Sequence, residues 1–455
     1  MRPGGLEPAA AACLFPGFDG HAAPDWLLKG GFGGVVLFAK NIRDREQLAE
    51  LTSSLRGMLI AVDEEGGDVT RLEADRGSSF PGNLALGAVD DVTLTRRVGA
   101  AIGGELASVG IDLDLAPVAD VIVDPANPIV GVRSFGTDPE LVARHVAAFV
   151  QGLQEVGVAA CAKHFPGHGE TLGDSHVELP VAEADRATLF ERALPPFRSA
   201  VEAGVRAVMT AHIRATALDD APATLSRAAV RLLREELGFR GLVITDALEM
   251  RAISDTVGLE EGAVRALGAG ADAVCLGADR PPEEVDRVLE AIVDAVAEGR
   301  LAEERLHEAA ERVAATAAWT HPAPLRDPDA GLEAARRALR IEGHLRLEPS
   351  ALVLELCPEP TIAAGEPGHG LAELLPAAEV VRLRAGDTPP SLDAGRQLVV
   401  VVRDAHLYAW QRALLRPGAT VIETGYPAWR PDGAAAYVAT YGSARASLEA
   451  LVERL

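Results

Sequence analysis

The sequence predicts an α/β protein in which a (β/α)8 TIM-type barrel is followed by a smaller three-layer α/β domain. Eight short apolar runs occur within about 280 residues of the first part of the chain, and amphipathic helical patterns separate them. Five further apolar runs follow a Pro-rich stretch. Continuous apolar strands that alternate with helices are typical of a parallel sheet covered on its outer face. Eight such units in one domain favour a closed barrel over an open sheet.

The predicted elements of the barrel follow one another in a regular order. Apolar runs predict strands at residues 12–18, 33–39, 58–66, 112–121, 158–165, 207–213, 242–248 and 273–277. Helical patterns cover 44–57, 94–110, 138–157 and 226–239, and residues 281–319 are expected to form one or two long helices. Several helices follow an Asp or Ser and end at a Gly, which are preferred helix caps.

The domain boundaries come from the change in composition after the last barrel strand. We expect the barrel over residues 1–320, a linker with a short helix over 321–345, and a C-terminal α/β domain over 346–455. The second domain is predicted to contain strands at 351–356, 379–385, 398–404, 419–425 and 436–442, followed by a final helix. Five strands in about 110 residues fit a small three-layer α/β domain.

The charge balance argues against several classes of partner. The 455 residues include 43 Lys and Arg against 67 Asp and Glu, and this net charge of −24 disfavours binding to nucleic acid or to an anionic membrane. The four cysteines stand far apart in apolar runs, which is typical of reduced, buried thiols. No apolar run is long enough to span a membrane and no leader pattern opens the chain, so we expect a cytoplasmic location.

Candidate functional residues are those at the carboxyl ends of the barrel strands, where the βα loops converge on one mouth. Polar side chains inside apolar strands need either a buried partner or a chemical role. The candidates are Asp63 and Glu64 after the third strand, Asp120 and Asp124 after the fourth, Lys163 and His164 on the fifth, His212 on the sixth and Asp246 on the seventh.

The segment KHFPGHGETLGDSH, residues 163–176, has the highest density of reactive side chains. Asp174 is two residues from His176, close enough for its carboxylate to orient the imidazole and favour the protonated form. The glycines are expected to give the loop positive φ angles and mobility. Two alternatives stay open at this point: a metal site formed by the histidines of this segment, and a purely structural loop.

The same segment resembles the family 3 glycoside hydrolases, in particular their β-N-acetylglucosaminidase branch, which is related to bacterial peptidoglycan-recycling enzymes. The resemblance covers the whole barrel. VDEEGGDVTRL (62–72) is similar to the family's substrate-binding turn, NPIVGVRSFGTDP (127–139) to its arginine-bearing loop, and VITDALEM (243–250) to its nucleophile strand. These motifs occur in the family's order.

The resemblance implies that Asp246 is the catalytic nucleophile, that His176 is the acid/base and that Asp174 is the partner of His176. Cleavage with retention needs an anionic group that forms a covalent glycosyl intermediate, and a histidine can protonate the leaving group near neutral pH. On residues alone, Asp246 is also a candidate helix N-cap. A neutral imidazole does not repel phosphate after the first step, so phosphate is a possible acceptor beside water.

The resemblance also implies that substrate is bound by Asp63, Arg71, Arg133, Lys163, His164 and His212. Carboxylate and guanidinium groups make the bidentate contacts that fix a sugar in place. The alternatives are solvated salt bridges for the arginines and a hydrogen-bonded core histidine for His212. One of Glu64 and Glu65 is expected to hold the loop rather than the sugar. No metal or organic cofactor is implied.

Two positions depart from the family pattern. Asp68 stands where the family usually has arginine, and this anion near the pocket rim is expected to weaken tolerance for acidic substrates. Glu170 stands where Asp is common. In the second domain, RDAHLYAW (403–410) and TGYPAW (424–429) carry aromatic residues that suit sugar stacking at the mouth, with core packing or a contact between two copies as the alternative.

The function predicted from the sequence is therefore a retaining exo-β-N-acetylglucosaminidase that acts on a small carbohydrate, expected to derive from the cell wall. Phosphorolysis of the same linkage is an alternative, as is a family 3 β-glucosidase or β-xylosidase. A non-catalytic sugar-binding barrel is a remote alternative, because such a protein would not need Asp246, His176 and Asp174 together.

Overall fold

The computed structural model describes residues 5–171, 173–362, 369–391 and 395–455. It contains a parallel α/β barrel followed by a smaller α/β domain, so the predicted fold class is confirmed. Of the segment 163–176, Leu172 lies outside the described residues. None of the described helices is long and apolar enough to cross a membrane.

Within the described residues, eight parallel strands surround the barrel axis, one for each predicted strand. They are β1 (Leu14–Pro16), β2 (Gly34–Leu37), β3 (Leu59–Val62), β4 (Leu113–Asp114), β5 (Ala159–Phe165), β7 (Ala207–Thr210), β9 (Leu242–Thr245) and β10 (Val274–Gly277), while β6 (Val181–Ala182) and β8 (Arg214–Ala215) form a separate parallel pair. β4 is much shorter than the predicted 112–121. Pro117 has no N–H to donate to a ladder, and beyond it the chain meets β5 in an isolated bridge between Val118 and Lys163.

The ring of strands closes in two stages. β2, β3, β4, β5, β7 and β9 form one sheet in that order, and β10 pairs with β1. A bridge from Ile244 to Ala273 joins β9 to β10, and the Gly33 amide donates to the carbonyl of Ala11 at 3.2 Å just before β1 and β2. A Cβ on Gly33 would lie 1.9 Å from the carbonyl oxygen of Ala12, so this close approach requires glycine.

The helices of the first domain cover the outside of the barrel. They are α1 (Leu6–Ala12), α2 (Asp25–Lys29), α3 (Arg45–Ser54), α4 (Asn83–Val89), α5 (Val92–Ser108), α6 (Pro139–Glu155), α7 (Arg186–Thr188), α8 (Leu194–Glu202), α9 (Arg227–Arg231), α10 (Arg251–Ser254), α11 (Leu259–Ala269), α12 (Pro282–Ala297) and α13 (Glu303–Trp319). The predicted caps are present: Asp44, Asp91, Asp138 and Ser226 each accept a hydrogen bond from the first turn of their helix.

The second domain is an open, mostly parallel sheet with helices. Its elements are α14 (Ala330–Ala338), β11 (Arg340–Gly343), β12 (Leu352–Leu356), α15 (Leu371–Leu374), β13 (Glu379–Leu383), β14 (Leu398–Val402), α16 (Ala409–Ala413), β15 (Thr420–Glu423), β16 (Ala436–Ala439) and α17 (Arg445–Val452). The strand order is β11-β16-β15-β14-β12-β13, and all neighbours are parallel except β11 and β16.

β11 is the one strand of this sheet that the sequence did not predict, and it lies inside the stretch expected to be a linker. Its four residues, Arg-Ile-Glu-Gly, are half-buried or exposed at the sheet edge and do not form an apolar run. The preceding α14 packs against both domains: Ala330 and Ala334 join the core of the barrel helices, while Ala335 packs with Ala446 and Ala450 of α17. The boundaries at 320 and 345 themselves remain a prediction.

A buried ion cluster joins three elements of the barrel. Asp272, which precedes β10, is fully buried. One of its carboxylate oxygens accepts from Arg305 and from Arg312, and the other accepts from Arg234 and from the backbone amide of Val243. Removal of a partner from a buried ion cluster leaves uncompensated charge, so this cluster should matter for stability.

We predict that Asp272→Ala lowers the free energy of unfolding by about 3–5 kcal/mol, because three arginines lose their common carboxylate. Urea unfolding followed by circular dichroism measures the change. Asp286→Ala, at an exposed position of α12, is the matched control and should stay within about 0.5 kcal/mol of the parent. Equal midpoints for the two variants would show that the cluster adds no stability.

Candidate functional site

The floor of the barrel mouth is a buried network of two cations and two carboxylates. The ammonium group of Lys163 donates to Oδ1 of Asp63 at 2.5 Å and lies 2.8 Å from Oε1 of Glu65. Arg133 binds Glu65 with two parallel hydrogen bonds, Nε to Oε2 at 2.9 Å and Nη2 to Oε1 at 2.7 Å. The structure thus brings three of the predicted substrate-binding residues, Asp63, Lys163 and Arg133, to one place.

The charges in this network stabilise one another. Burial alone would lower the pKa of Lys163, but Asp63 and Glu65 raise it above its usual value, so the group stays protonated. Burial alone would raise the pKa of Glu65, but Arg133 and Lys163 hold it below its usual value. Because Glu65 takes both hydrogen bonds of the Arg133 fork, it fixes that guanidinium at the mouth.

The turn after β3 positions Arg71. Its Nη2 lies 3.9 Å from Oδ2 of Asp63, at the edge of the network. Glu64 accepts from the backbone amides of Arg71 and Leu72 at 2.8 and 3.0 Å and is buried, and burial raises the pKa of Glu64 to about 7. Glu64 therefore holds the turn, whereas Glu65 reaches into the site.

His164 lies beside this network, against the end of β4. Its Nδ1 is 2.8 Å from Oδ2 of Asp120, and the other oxygen of Asp120 accepts from the backbone amide of His168 at 2.6 Å. Although Asp120 is fully buried, which alone would raise its pKa, its interactions with His164 and His168 lower it. An ionised Asp120 therefore fixes the orientation of the His164 ring at the mouth.

Asp246 follows β9 directly at the mouth and is half-buried. Its backbone amide donates to Thr210, and its Oδ1 accepts from the amide of Ala247 at 2.8 Å. Burial alone would raise the pKa of Asp246, but the surrounding histidines lower it, so the side chain is anionic. The next helix, α10, begins at Arg251 after an N-cap at Met250, so Asp246 does not cap it.

His212, which is expected to bind substrate, has the contacts of the alternative, a hydrogen-bonded core histidine. The ring is fully buried, its Nε2 donates to the carbonyl of Ala247 at 3.0 Å, and its Nδ1 lies 2.8 Å from the hydroxyl of Thr224. Burial lowers the pKa of His212, which favours the neutral ring with Nδ1 as an acceptor. Both nitrogens are engaged within the protein, so His212 supports the backbone next to Asp246 from behind.

His176 and Asp174 form the expected pair. Nδ1 of His176 is 2.7 Å from Oδ1 of Asp174, which also accepts from the backbone amide of His176 at 2.8 Å. Burial alone would lower the pKa of His176, but the hydrogen bond to Asp174 and the charge of Asp246 raise it. About a quarter of each side chain is exposed.

The loop that carries this pair makes backbone contacts with its neighbours, and the mobility expected from its glycines stays a prediction. Of Gly167, Gly169 and Gly173, only Gly167 has a positive φ, at 128°. A Cβ on Gly169 would lie 1.6 Å from the carbonyl oxygen of Val121, so that glycine permits close packing. The carbonyl of Ser175 accepts from the amide of Ala252 at 3.3 Å, which links the loop to the segment after Asp246.

The alternative of a metal site is not supported by the contacts of the histidines. His164 is bound to Asp120, and His168 lies 2.6 Å from the hydroxyl of Thr171 through Nδ1 and 3.4 Å from Ser175 through Nε2. Across residues 5–171, 173–362, 369–391 and 395–455, no group of three or more His, Cys, Asp or Glu is placed to hold a metal ion.

The position of Asp68 in the motif suggested a free anion at the pocket rim. In the structure this residue is paired instead. Its carboxylate accepts from Arg403 of the second domain at 2.5 Å and from the amide and hydroxyl of Ser443 at 2.9 Å each. Burial alone would raise the pKa of Asp68, but Arg403 and Ser443 lower it. The anion is therefore compensated by the second domain, and it ties that domain to the turn that carries Arg71.

A second contact connects the C-terminal domain to the loop that carries Arg133. Tyr426 and Tyr441 pack against Leu84 and against Ile122, Val130 and Val132 of that loop. Nε2 of His406 lies 2.7 Å from the carbonyl oxygen of Pro125. The aromatic segments of the second domain thus reach the barrel as well as their own core. Two loops with predicted substrate-binding arginines rest on the second domain.

Three residues of the site received no definite role from the sequence. Glu65 stands in a run of acidic residues, and the sequence does not show which of their carboxylates points into the site. Asp120 was among the strand-end candidates, but its pairing with His164 depends on how β4 and β5 meet. Arg403 is 335 residues from Asp68, and no local pattern connects them.

Comparison with known proteins identifies the family of the first domain. Residues 16–316 match the model of the glycosyl hydrolase family 3 N-terminal domain. The chain is 34% identical to β-hexosaminidase A of Pseudoalteromonas piscicida over 348 residues. This match covers 70% of the chain but only 57% of the length of that relative. Over 293 residues it is 39% identical to a β-hexosaminidase of Thiobacillus denitrificans, covering 60% of this chain and 79% of the relative.

A solved structure extends the similarity to both domains. The family 3 β-N-acetylglucosaminidase from Paenibacillus sp. FPU-7 superposes with a TM-score of 0.88 at 32% identity, covering 98% of this chain and 95% of that one. The barrel fold and the matches to this family and to this structure together identify the chain as a glycoside hydrolase. The chain belongs to glycosyl hydrolase family 3, and the family expected from its motifs is confirmed.

We predict that Arg403→Ala raises the KM of a substrate about 10-fold with a smaller change in kcat, because the unpaired, buried Asp68 shifts the turn that carries Arg71. The double variant Asp68→Ala/Arg403→Ala should be less impaired than Arg403→Ala, since no buried charge is left alone. Steady-state kinetics of both variants measure this coupling.

The matched control is Arg430→Ala, which removes an exposed ion pair with Glu342 in the same domain and should leave KM unchanged. Losses that simply add in the double variant would contradict the coupling between Asp68 and Arg403.

Proposed function

We propose that the protein is a retaining exo-β-N-acetylglucosaminidase that removes terminal β-linked N-acetylglucosamine through a covalent glycosyl-enzyme intermediate. The observation that supports this most is the anionic Asp246 beside the His176–Asp174 pair at one barrel mouth. The relatives named β-hexosaminidase and the Paenibacillus β-N-acetylglucosaminidase support the choice of sugar. We further propose a cytoplasmic enzyme whose substrates derive from the cell wall.

In the first step, Asp246 attacks the anomeric carbon of the terminal sugar. Because Nδ1 of His176 is engaged by Asp174, the proton for the leaving group comes from Nε2. The bond between the anomeric carbon and the glycosidic oxygen breaks, the aglycone leaves as an alcohol, and an ester forms between the sugar and Asp246. His176 is then neutral.

In the second step, the neutral His176 takes a proton from water as the water oxygen attacks the anomeric carbon. The ester breaks, Asp246 returns to its carboxylate form and the sugar leaves with retained configuration. Phosphate could take the place of water at this step, because a neutral imidazole exerts no charge repulsion on an anion. Phosphorolysis of the same linkage is therefore the second candidate activity.

The network at the floor suits a terminal sugar. The carboxylate of Asp63 offers acceptors for adjacent hydroxyls, and the fixed cations Lys163 and Arg133 offer donors. Asp63 keeps about a fifth of its side chain exposed although it is paired with Lys163, so it can contact a ligand. Fixed donors and acceptors below the ring hold the anomeric carbon in position for attack.

The experiment that tests the function is release of nitrophenol from the aryl β-N-acetylglucosaminide and the aryl β-glucoside, with and without phosphate. We expect preference for the acetamido sugar. Formation of a sugar phosphate would select phosphorolysis, and turnover of the glucoside alone would favour the β-glucosidase or β-xylosidase alternative. Turnover of neither substrate would favour the sugar-binding alternative.

We predict that Asp246→Ala abolishes turnover of every substrate, because no ester can form. His176→Ala should reduce kcat on unactivated saccharides by at least about 100-fold and on nitrophenyl glycosides much less, since only a poor leaving group needs the proton. Parallel assays on both substrate classes measure this, and equal losses on the two would remove His176 from the role of acid.

We also predict a bell-shaped dependence of kcat/KM on pH. The lowered pKa of Asp246 moves the acid limb below the usual carboxylate range, and the raised pKa of His176 extends the alkaline limb to higher pH. Asp174→Asn should move the alkaline limb to lower pH, because the anionic partner that raises the pKa of His176 is lost. An unchanged alkaline limb would contradict the assignment of that limb to His176.

A further inference from the structure

The seam between β9 and β10 leads directly to Asp246, the proposed nucleophile. On one side, β9 pairs with β7 along its whole length, from Leu242 to Thr245. On the other side, β9 meets the chain before β10 in an isolated bridge between Ile244 and Ala273. Asp246 is the first residue after β9, so it follows a strand that has a regular ladder toward β7 and single contacts toward β10.

Two of these single contacts continue the seam toward the mouth. The amide of Cys275 donates to the hydroxyl of Thr245 at 3.0 Å, and the amide of Leu248 donates to the carbonyl of Cys275 at 3.0 Å. Leu248 belongs to residues 246–249, which we call the nucleophile turn. This turn therefore packs against β10 immediately after Asp246.

Glu249 makes the next contact of the seam, and it does so with its side chain. Oε1 accepts from the amide of Ala278 at 2.9 Å, and Oε2 lies 2.7 Å from Nη2 of Arg280. Nε of Arg280 in turn donates to the carbonyl oxygen of Ala278 at 2.9 Å. The two side chains therefore bind both the N–H and the C=O of Ala278, and hydrogen bonds of ionised groups are stronger than neutral ones.

The backbone beside this carboxylate leaves room for it. Gly277, the last residue of β10, has a φ of 88°, and a Cβ there would lie 2.2 Å from Cδ of Glu249. Glycine is thus required both for the backbone angle and for the contact. Because about a quarter of the side chains of Glu249 and Arg280 is exposed, their ion pair alone contributes little. The bond to the Ala278 amide is the contact that fixes the turn.

The nucleophile turn is held from its other side by a buried residue. Nε2 of His212, which follows β7, donates to the carbonyl of Ala247 at 3.0 Å. The amide of Ala247 donates to Oδ1 of Asp246 at 2.8 Å. The peptide groups that orient the Asp246 carboxylate are therefore fixed from β7 by His212 and from β10 by Glu249.

We propose that Glu249 is a positioning residue for Asp246: its bonds to Ala278 and Arg280 hold the nucleophile turn so that the Asp246 carboxylate is directed at the anomeric carbon. This rests on the proposed function. Glu249 acts through the backbone of the turn and does not bind the sugar. Displacement of a reacting group by about 1 Å costs roughly 100-fold in rate, so loss of Glu249 slows the attack and leaves sugar binding intact.

The test measures attack and binding separately in the full-length enzyme. An activated N-acetylglucosaminide with fluorine at carbon 5 labels the nucleophile, and the limiting rate of labelling reports the attack by Asp246. Competitive inhibition by N-acetylglucosamine reports binding of the sugar. In Glu249→Ala we expect the limiting rate to fall roughly 10–100-fold and the inhibition constant to change less than about twofold.

Three further variants separate the contacts of Glu249. Glu249→Gln keeps an acceptor for the Ala278 amide and should be labelled within about fivefold of the parent rate. Arg280→Ala keeps the carboxylate but removes the group that orients it, and should be labelled roughly 3–10-fold more slowly. Glu261→Ala, which removes an exposed ion pair with Arg265 on α11, is the control and should be labelled at the parent rate.

Labelling of Glu249→Ala at the parent rate would overturn the proposal, even if that variant melts at a lower temperature. Equal losses in labelling and in N-acetylglucosamine binding would also overturn it, as would a Gln variant no faster than the Ala variant. If Glu249→Ala does not fold, Arg280→Ala gives the answer, and labelling of that variant at the parent rate would overturn the proposal. A parent enzyme that is not labelled at Asp246 would overturn the proposed function as well.

Discussion

The buried ammonium group of Lys163 is the charge on which the site depends. It sits on an apolar strand and is compensated by Asp63 and Glu65, and Glu65 in turn fixes the fork of Arg133. A buried cation without these carboxylates would cost several kcal/mol, so the turn after β3, which carries both of them, has to meet β5 at this point. The network thereby gives the barrel mouth a floor of fixed hydrogen-bond donors and acceptors. In the proposed mechanism, Asp246 and His176 act on a sugar that is bound there.

The second domain completes the mouth rather than standing beside it. The pair of Arg403 with Asp68 holds the turn of Arg71, and the packing of Tyr426 and Tyr441 holds the loop of Arg133. The departure from the family pattern at position 68 has a physical explanation, because the anion is paired across the domain interface. The same interface encloses a cavity at the switch point of the second sheet, between β12 and β14, and Arg71 at the edge of the Asp63 network lines that cavity.

Sequence patterns predicted the barrel and all eight of its strands, because parallel strands are strongly apolar. They also singled out polar residues that the structure brings together, such as Asp63, Lys163 and Arg133. Pairings between distant segments could not be predicted: Asp68 and Arg403 have no local pattern, and a run of acidic residues does not show that Glu64 holds a turn while Glu65 enters the network. The contacts of His212 could not be predicted either, because a buried ring with both nitrogens bonded and a ligand-binding ring have the same sequence context. β11 was missed because an edge strand needs no apolar run.

The central claim is that Asp246 forms a covalent bond to the sugar. An activated N-acetylglucosaminide with fluorine at carbon 5 forms such an ester and hydrolyses slowly, so the intermediate can be seen by mass spectrometry of the intact protein and of its peptides. We expect one added sugar per chain, located on the peptide that contains Asp246. Attachment to another carboxylate such as Asp63 or Asp174, or turnover with inverted configuration and no adduct, would contradict the account.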